Sequence, residues 1–245
     1  MKPELKSIEQ KEYVYTKNTG TCIEITIANP ADRNAFTCAM YEEIASAIEY
    51  ANETKEITCT VLRGAGGIFS TGHSQAGLDD IAAHNRIDQS TRRYLDALVE
   101  NKKPLLALVN GPAIGLGCTT LLHADFVVAT KRSFFQTPFV DLRVTPEAAS
   151  SFWGPRLLGY RAAFRLLVLG ERWRASQALE FGLIDDLVED EPAGEEKLQS
   201  MVKRISEKPL AVLMAARALV RPDSQEISTT MYREIVEFER HISRC

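Results

Sequence analysis

An α/β core followed by a helical tail is the fold this sequence predicts, on three observations. From Tyr13 to Gln136, apolar runs with strand character alternate with stretches of helical periodicity. Beyond Pro146 the chain reads as helices almost alone. No Pro/Gly/Ser-rich linker separates the two parts, and no internal repeat is visible. The chain has 245 residues, 45% hydrophobic and 25% charged. A chain of that size buries roughly 70–75% of the surface its unfolded form exposes. It needs neither disulfides nor a structural metal, and disordered, collagen-like and low-complexity classes are excluded.

The elements follow in order. Cys22-Ile-Glu-Ile-Thr-Ile-Ala alternates apolar and polar residues as a half-buried strand does, and Tyr13-Val-Tyr-Thr is its hairpin partner across Asn18-Thr-Gly-Thr. Met40, Ile44, Ala47, Ile48 and Ala51 share one face of a helix over 37–53, with Thr37 as N-cap. Cys59-Thr-Val-Leu-Arg is a short strand ending at Gly64-Ala-Gly-Gly. Leu105-Leu-Ala-Leu-Val is a buried strand, followed by the turn Asn110-Gly-Pro and an apolar helix from about Gly115 to His123. Phe126-Val-Val-Ala and Ser133-Phe-Phe-Gln are two further strands. A helix begins near Pro146, and others cover roughly 156–170, 175–181, 194–221 and 224–243.

Charge and cysteine usage narrow the function classes. A net charge of −4 and a pI near 5.7 give no overall basic field for nucleic acid or anionic lipid. Cys22, Cys38, Cys59, Cys118 and Cys245 are odd in number, widely spaced and without a CxxC pair, which points to reduced, cytosol-like conditions. The opening residues Met1–Tyr15 carry no apolar run of the kind a signal peptide needs, and no stretch reaches the ~20 apolar residues that span a bilayer. The expected location is cytoplasmic; the terminal Ser-Arg-Cys is a poor match to the peroxisomal Ser-Lys-Leu address. GxxxxGK[ST], HExxH and GxSxG are all missing, and Thr120 stands where a dinucleotide fingerprint needs its third glycine. His73, His84, His123 and His241 share no ligand-like spacing, so neither a metal nor a resident cofactor is expected.

Two glycine-rich strand-to-helix transitions remain, Phe69-Ser-Thr-Gly-His-Ser and Asn110-Gly-Pro-Ala-Ile-Gly-Leu-Gly-Cys. Two N–H groups converging from such loops on one oxygen form an oxyanion hole, although spacing alone leaves both readable as tight turns. Thr145-Pro-Glu has the form of a helix start, with Thr as N-cap and Pro at the first helical position. Glu147 then reads as a solvated first-turn carboxylate or, bracketed by Phe139, Val140, Leu142, Val144, Phe152 and Trp153, as a base in an apolar cleft.

These pieces resemble, in this order, the enoyl-CoA hydratase/isomerase (crotonase) family. The matching segments are Ala31-Asp-Arg-Asn-Ala-Phe, Phe69-Ser-Thr-Gly, Val109-Asn-Gly-Pro-Ala-Ile-Gly-Leu-Gly, Ala124-Asp-Phe-Val-Val-Ala and Ala178-Leu-Glu-Phe-Gly-Leu-Ile-Asp, across roughly 22–188. The resemblance implies a crotonase-like spiral of repeated ββα units over 1–190. It also implies a helical C-terminal region, 191–245, that packs on the core and on neighbouring subunits of a homotrimer or hexamer. Acyl-CoA or acyl-carrier thioesters are the implied substrates, with the backbone N–H groups of Thr71 and Leu116 as the oxyanion hole.

Hydratases of this family use two glutamates, and the corresponding positions here are Thr119 and Phe139. Ordinary hydration is therefore not expected. Thr137-Pro-Phe-Val-Asp-Leu-Arg-Val-Thr-Pro-Glu instead resembles the Δ3,Δ2-enoyl-CoA isomerase branch, whose single catalytic glutamate falls on Glu147. The implied reaction moves the double bond of a 3-enoyl thioester to the 2-position. Glu147 takes a proton from C2, the oxyanion hole holds the dienolate, and Glu147 returns a proton at C4.

Substrate contacts expected on the same basis are Arg33, Ala35, Gly72, His73, Ser74, Gln75 and Phe139. Arg33 is placed to meet a CoA phosphate or is a surface residue. His73-Ser74-Gln75 replaces the family's usual acidic pattern, and His73 is either a ligand contact or a solvated loop residue. Lys131-Arg132 reads as a solvated turn. The alternatives are another crotonase-fold acyl-thioester enzyme, a hydrolase or carrier-linked isomerase, and a non-catalytic relative that binds acyl-CoA or nucleic acid.

Overall fold

The computed structural model of the chain describes residues 8–10 and 13–242. The Ser-Arg-Cys terminus considered above, Cys245 included, lies outside them. The first elements are β1 (Ile8–Gln10), β2 (Val14–Asn18), β3 (Cys22–Ile27), α1 (Cys38–Glu53) and β4 (Cys59–Gly64). Next come α2 (Gln75–His84), α3 (Gln89–Val99), β5 (Leu105–Val109), β6 (Ala113–Ile114), α4 (Leu116–Thr119), β7 (Phe126–Thr130) and β8 (Phe134–Gln136). The rest are α5 (Ser150–Leu157), α6 (Tyr160–Leu167), β9 (Trp173–Arg174), α7 (Ala175–Glu180), β10 (Asp186–Val188), α8 (Glu191–Ser206), α9 (Leu210–Val220) and α10 (Ser224–Ile242).

The main sheet has the order β1-β2-β3-β4-β5-β7-β10, antiparallel from β1 to β3 and parallel from β3 to β10. A small second sheet, β6-β8-β9, carries the loop that follows β5. Alternation along β5 shows why its residues are apolar throughout. Leu105, Ala107 and Val109 face the principal core with α1 and α3, whereas Leu106 and Leu108 face a second layer with Val61, Val128 and Leu198 of α8. The sheet is thus covered on both faces, and the site forms at the ends of β4 and β5.

The hairpin, the α1 helix with its Thr37 cap accepting from Met40 N, and the strands at 59–64, 105–109, 126–130 and 134–136 stand where the sequence places them. Two helices differ from expectation here, and one stretch with no expected element holds two more. The helix read over 194–221 is two, because Pro209 removes an N–H and restricts Lys208, so α8 stops at Ser206 and α9 restarts at Leu210. The stretch read as a helix over 156–170 is instead the end of α5 and all of α6, parted at Gly159 with φ +78°. Residues 75–99, given no element above, form α2 and α3, announced by Ser74 and Asp88 as N-caps that accept from Gly77 N and from Ser90 N and Thr91 N.

The C-terminal helices differ in how they are held. Arg217 of α9 is buried in a fork of bonds to Asp125 at 2.9–3.1 Å and to the Asn101 carbonyl at 2.8 Å. α10 lays Ile227, Met231, Ile235, Phe238 and Ile242 into the principal core against α2, α3 and α5.

Candidate active site

Two loops and one turn come together around α4. In the first loop, Ser70 forms a parallel bridge with Ala113 and its carbonyl accepts from Ile114 N at 2.9 Å, which draws Thr71 beside the segment leading to α4. Ser70 Oγ is anchored in turn on the Asn34 carbonyl at 2.7 Å. The approach is so close that a Cβ on Gly72, whose φ is +83°, would stand 2.9 Å from the Ile114 carbonyl oxygen and 3.0 Å from Leu116 N. In the second loop Gly115, at φ +53° and ψ −126°, turns the chain into α4. Leu116 is the first residue of that helix, where an N–H has no intrahelical acceptor. Among the described residues neither the Thr71 nor the Leu116 N–H donates to a protein acceptor.

Glu147 comes from the turn before α5. The helix expected to start at Pro146 starts at Ser150 instead, because Ala148 and Ala149 take left-handed backbone at φ +56° and +53°. Thr145 is therefore no N-cap, and its hydroxyl oxygen is buried without a hydrogen-bond partner. The turn is clamped from three sides. His123 Nε2 donates to the Ala148 carbonyl at 2.7 Å, Ser150 N donates to the Glu147 carbonyl at 3.0 Å, and Glu234 of α10 accepts from Ser151 N at 2.7 Å and from Ser151 Oγ.

The result is a carboxyl group that is 4% exposed, not a solvated cap. Thr119 Oγ1 donates to Glu147 Oε1 at 2.6 Å. Burial pushes the Glu147 pKa up to about 8; the Thr119 bond opposes the rise and the charge of Glu234 adds to it. Phe139 and Phe152 are buried in the principal core, and Tyr94 and Cys118 sense the Glu147 charge. Thr119 thus ties a buried proton-transfer group to the short helix whose first N–H, that of Leu116, is unpaired.

The other expected residues are placed as follows. His73 is half-buried, not a solvated loop residue: its Nδ1 is 2.7 Å from Tyr41 Oη, its ring lies against Phe238, and burial lowers its pKa to about 4. Ser74 caps α2 and Gln75 Nε2 donates to Asp79 Oδ1, so both polar groups are engaged locally. Ala35 is buried beside the first loop, and Arg33 is exposed with its carbonyl accepting from Thr71 Oγ1 at 3.3 Å. Phe139 lies in the turn after β8 and is buried. Lys131 and Arg132 are not merely solvated: Lys131 pairs with Glu189, and Arg132 Nε donates to the Asn110 carbonyl at 2.7 Å. Sequence reasoning missed Thr119 as the partner of Glu147, and missed Tyr41, His123 and Glu234; Thr119, four residues past the loop glycine on the same helical turn, carried the one usable signal.

The chain matches the family described as enoyl-CoA hydratase/isomerase over residues 17–244. It is 31% identical to enoyl-CoA delta isomerase 2 of Rattus norvegicus over 90% of this chain and 57% of that protein. It is 30% identical to the peroxisomal enoyl-CoA delta isomerase 3 of Mus musculus over 94% of this chain and 73% of that one. The chain thus spans little more than half the length of the rat relative. Among solved structures, Pseudomonas aeruginosa OdaA superposes with a TM-score of 0.89 at 28% identity, covering 95% of this chain and 94% of its own.

Proposed function

The chain belongs to the enoyl-CoA hydratase/isomerase family, and from that premise we propose that it is a Δ3,Δ2-enoyl-thioester isomerase with Glu147 as its acid–base group. One observation carries the reading: Glu147 is a buried carboxyl whose pKa is raised to about 8, and its hydrogen-bond partner is the hydroxyl of Thr119. A buried carboxyl whose hydrogen-bond partner is a hydroxyl suits a proton that leaves one carbon and returns to another. Water addition across a double bond calls for a second group to activate the water, and Thr119 and Phe139 supply no carboxylate.

A 3-enoyl thioester loses a C2 proton to Glu147 as carboxylate, and the electrons spread over the diene and the thioester oxygen. The Thr71 and Leu116 N–H groups stabilise that oxygen, each by about 3 kcal/mol. Glu147, now protonated, delivers the proton to C4, and the conjugated 2-enoyl thioester forms with no change in mass. The apolar surroundings of Phe139 and Phe152 shield the dienolate from water.

Arg33, Ala35, Gly72 and His73 stand as thioester contacts in this reading, with CoA or a carrier-borne phosphopantetheine as the thiol half and no resident cofactor. A trimer or hexamer is part of it too, supported by the exposed apolar side chains Val212, Leu219 and Val220 of α9. A cytoplasmic location is supported by four unpaired cysteines, Cys22, Cys38, Cys59 and Cys118. Among the described residues no helix is long and apolar enough to cross a membrane.

The test follows 3-hexenoyl-CoA by absorbance of the conjugated product and by mass, with Glu147→Gln alongside. Conversion at constant mass that is lost in the variant is expected. Binding without conversion, or a product 18 Da heavier, overturns the assignment.

A further inference from the structure

One buried carboxylate has no part in the proton transfer just described. Glu234 lies midway along α10, 7% exposed, on the helix face that otherwise carries Ile227, Met231 and Phe238. A glutamate on that face is costly unless its charge is met by hydrogen bonds. It is met by the start of α5. That helix has alanine at its N-cap position and no side-chain cap, and Glu234 fills the role from a distance of 83 residues in sequence, through Ser151 N and Ser151 Oγ with a further contribution from Ala149 N.

The capped turn is the one that delivers Glu147. Two successive alanines in left-handed backbone are unfavourable unless their surroundings hold them. His123 holds the carbonyl of the first and Glu234 holds the N–H groups that follow. The same carboxylate is near enough to Glu147 for their charges to interact. The groove of about 1090 Å³ between α5 and α10 includes Thr145, Pro146 and Glu234 in its wall, so Glu234 lies close to solvent on one side.

We propose that Glu234 is a positioning residue for Glu147: its carboxylate, bonded to Ser151 N and Ser151 Oγ, holds the left-handed turn that aims the base, and its charge sits against that same turn. The proposal rests on the isomerase reading for its kinetic part, and its coupling part rests on the bonds that hold Glu234 to Ser151, four residues beyond Glu147. Burial raises Glu234 to about 7 and Glu147 to about 8, and a charge on either opposes ionisation of the other. The other titratable groups that interact with Glu147 are Tyr41 of α1, Tyr94 of α3 and Cys118 of α4, all shifted upward by burial; His123, bonded to the Ala148 carbonyl, is lowered to about 3 by burial and thus neutral. Around Glu234 the groove walls bring Arg156 of α5 and Arg233, Glu226 and Glu237 of α10, all exposed.

Two variants separate the two roles. Glu234→Gln keeps an oxygen that accepts from Ser151 and removes the charge; Glu234→Ala removes both. The activity-independent readout is the titration of the Glu147 side-chain carbon by NMR of protein labelled with ¹³C-glutamate, its signal identified by its absence in Glu147→Gln. In Glu234→Gln the Glu147 midpoint falls by about one pH unit, and the acid limb of kcat/KM falls with it. In Glu234→Ala kcat drops by about 10- to 100-fold with KM nearly unchanged, and Gln restores most of it. An unshifted Glu147 midpoint in Glu234→Gln overturns the coupling whether or not the alanine variant folds. An Ala kcat equal to wild type overturns the positioning role. If the wild type itself fails to convert 3-hexenoyl-CoA, the isomerase reading falls while the NMR titration still decides the coupling.

Discussion

Gly115 and Ala149 share a φ of +53°; the first leads into the helix that begins with Leu116, and the second closes the turn that carries Glu147. They differ in ψ, which is −126° at Gly115 and +23° at Ala149. The first combination is open only to glycine, whereas the second is the left-handed helical well that other residues enter at a cost of about 1–2 kcal/mol. The oxyanion loop is thus shaped by its own sequence. The base-bearing turn is shaped by what surrounds it, His123 from one side and Glu234 from the other. A group held from within is hard to move and hard to tune, while a group held from outside can be adjusted by residues far away in the chain.

The comparison is tested first at its chemical centre. Glu147→Gln is expected to lower kcat by about 10²–10⁴-fold, the usual contribution of an acid–base group. The same change should stabilise the fold in alkali. The folded-state pKa of Glu147 is raised to about 8 from 4.5, so the wild type loses stability as pH rises through that window. Melting temperatures of the two proteins should agree below pH 5 and diverge in favour of Gln by several degrees at pH 9. A wild type whose melting temperature tracked the variant across the whole range would mean that Glu147 ionises as freely folded as unfolded.

Gly72→Ala is the next largest. Its Cβ meets backbone at all three nearby atoms, so the two loops must part and the Leu116 N–H must leave its place. A loss of about 10²–10³ in kcat is expected, the cost of one oxyanion donor. Retention of full kcat by a folded Gly72→Ala would remove this pair of loops from the chemistry. Thr119→Val is milder and reads out as pH. Thr119 donates to Glu147 and so favours its ionised form; without that bond the pKa climbs and the acid limb of kcat/KM moves to higher pH. A move of one unit lowers the rate at pH 7 about tenfold. A limb that moved down instead would mean that the hydroxyl stabilises the protonated acid.

What was legible in the sequence follows the same division. Strand alternation in β3 and the buried run of β5 could be read because period and burial are local properties, and the Thr37 cap because its partner is three residues away. The two loops were legible through their glycines. The start of α5 was not: Thr145-Pro-Glu has every local mark of a helix beginning, and the left-handed alanines that defer it carry no such mark. Glu234 was hidden for the same reason, since its partner Ser151 is 83 residues away. His73 was left open because the residue that orders it, Tyr41, stands 32 positions earlier on α1.

The smallest expected effect is the sharpest on the question of strain. Ala149 is fully buried, so replacing it with glycine removes a methyl worth about 0.8 kcal/mol. Glycine also gives the unfolded chain more freedom, at a further cost of about 0.4–1 kcal/mol. Against these stands relief of the left-handed backbone, about 1–2 kcal/mol. The sum lies within about 1 kcal/mol of zero, a near-neutral change in a buried position. Ala47→Gly is the control, because Ala47 is equally enclosed but sits inside α1, where the lost methyl and the helix penalty of about 1 kcal/mol add instead of cancelling. Denaturant titration should therefore leave Ala149→Gly close to wild type and Ala47→Gly about 2 kcal/mol less stable. Equal losses in the two variants would show that the turn bearing Glu147 stores no strain, and that Glu234 and His123 only decorate a conformation the chain adopts unaided.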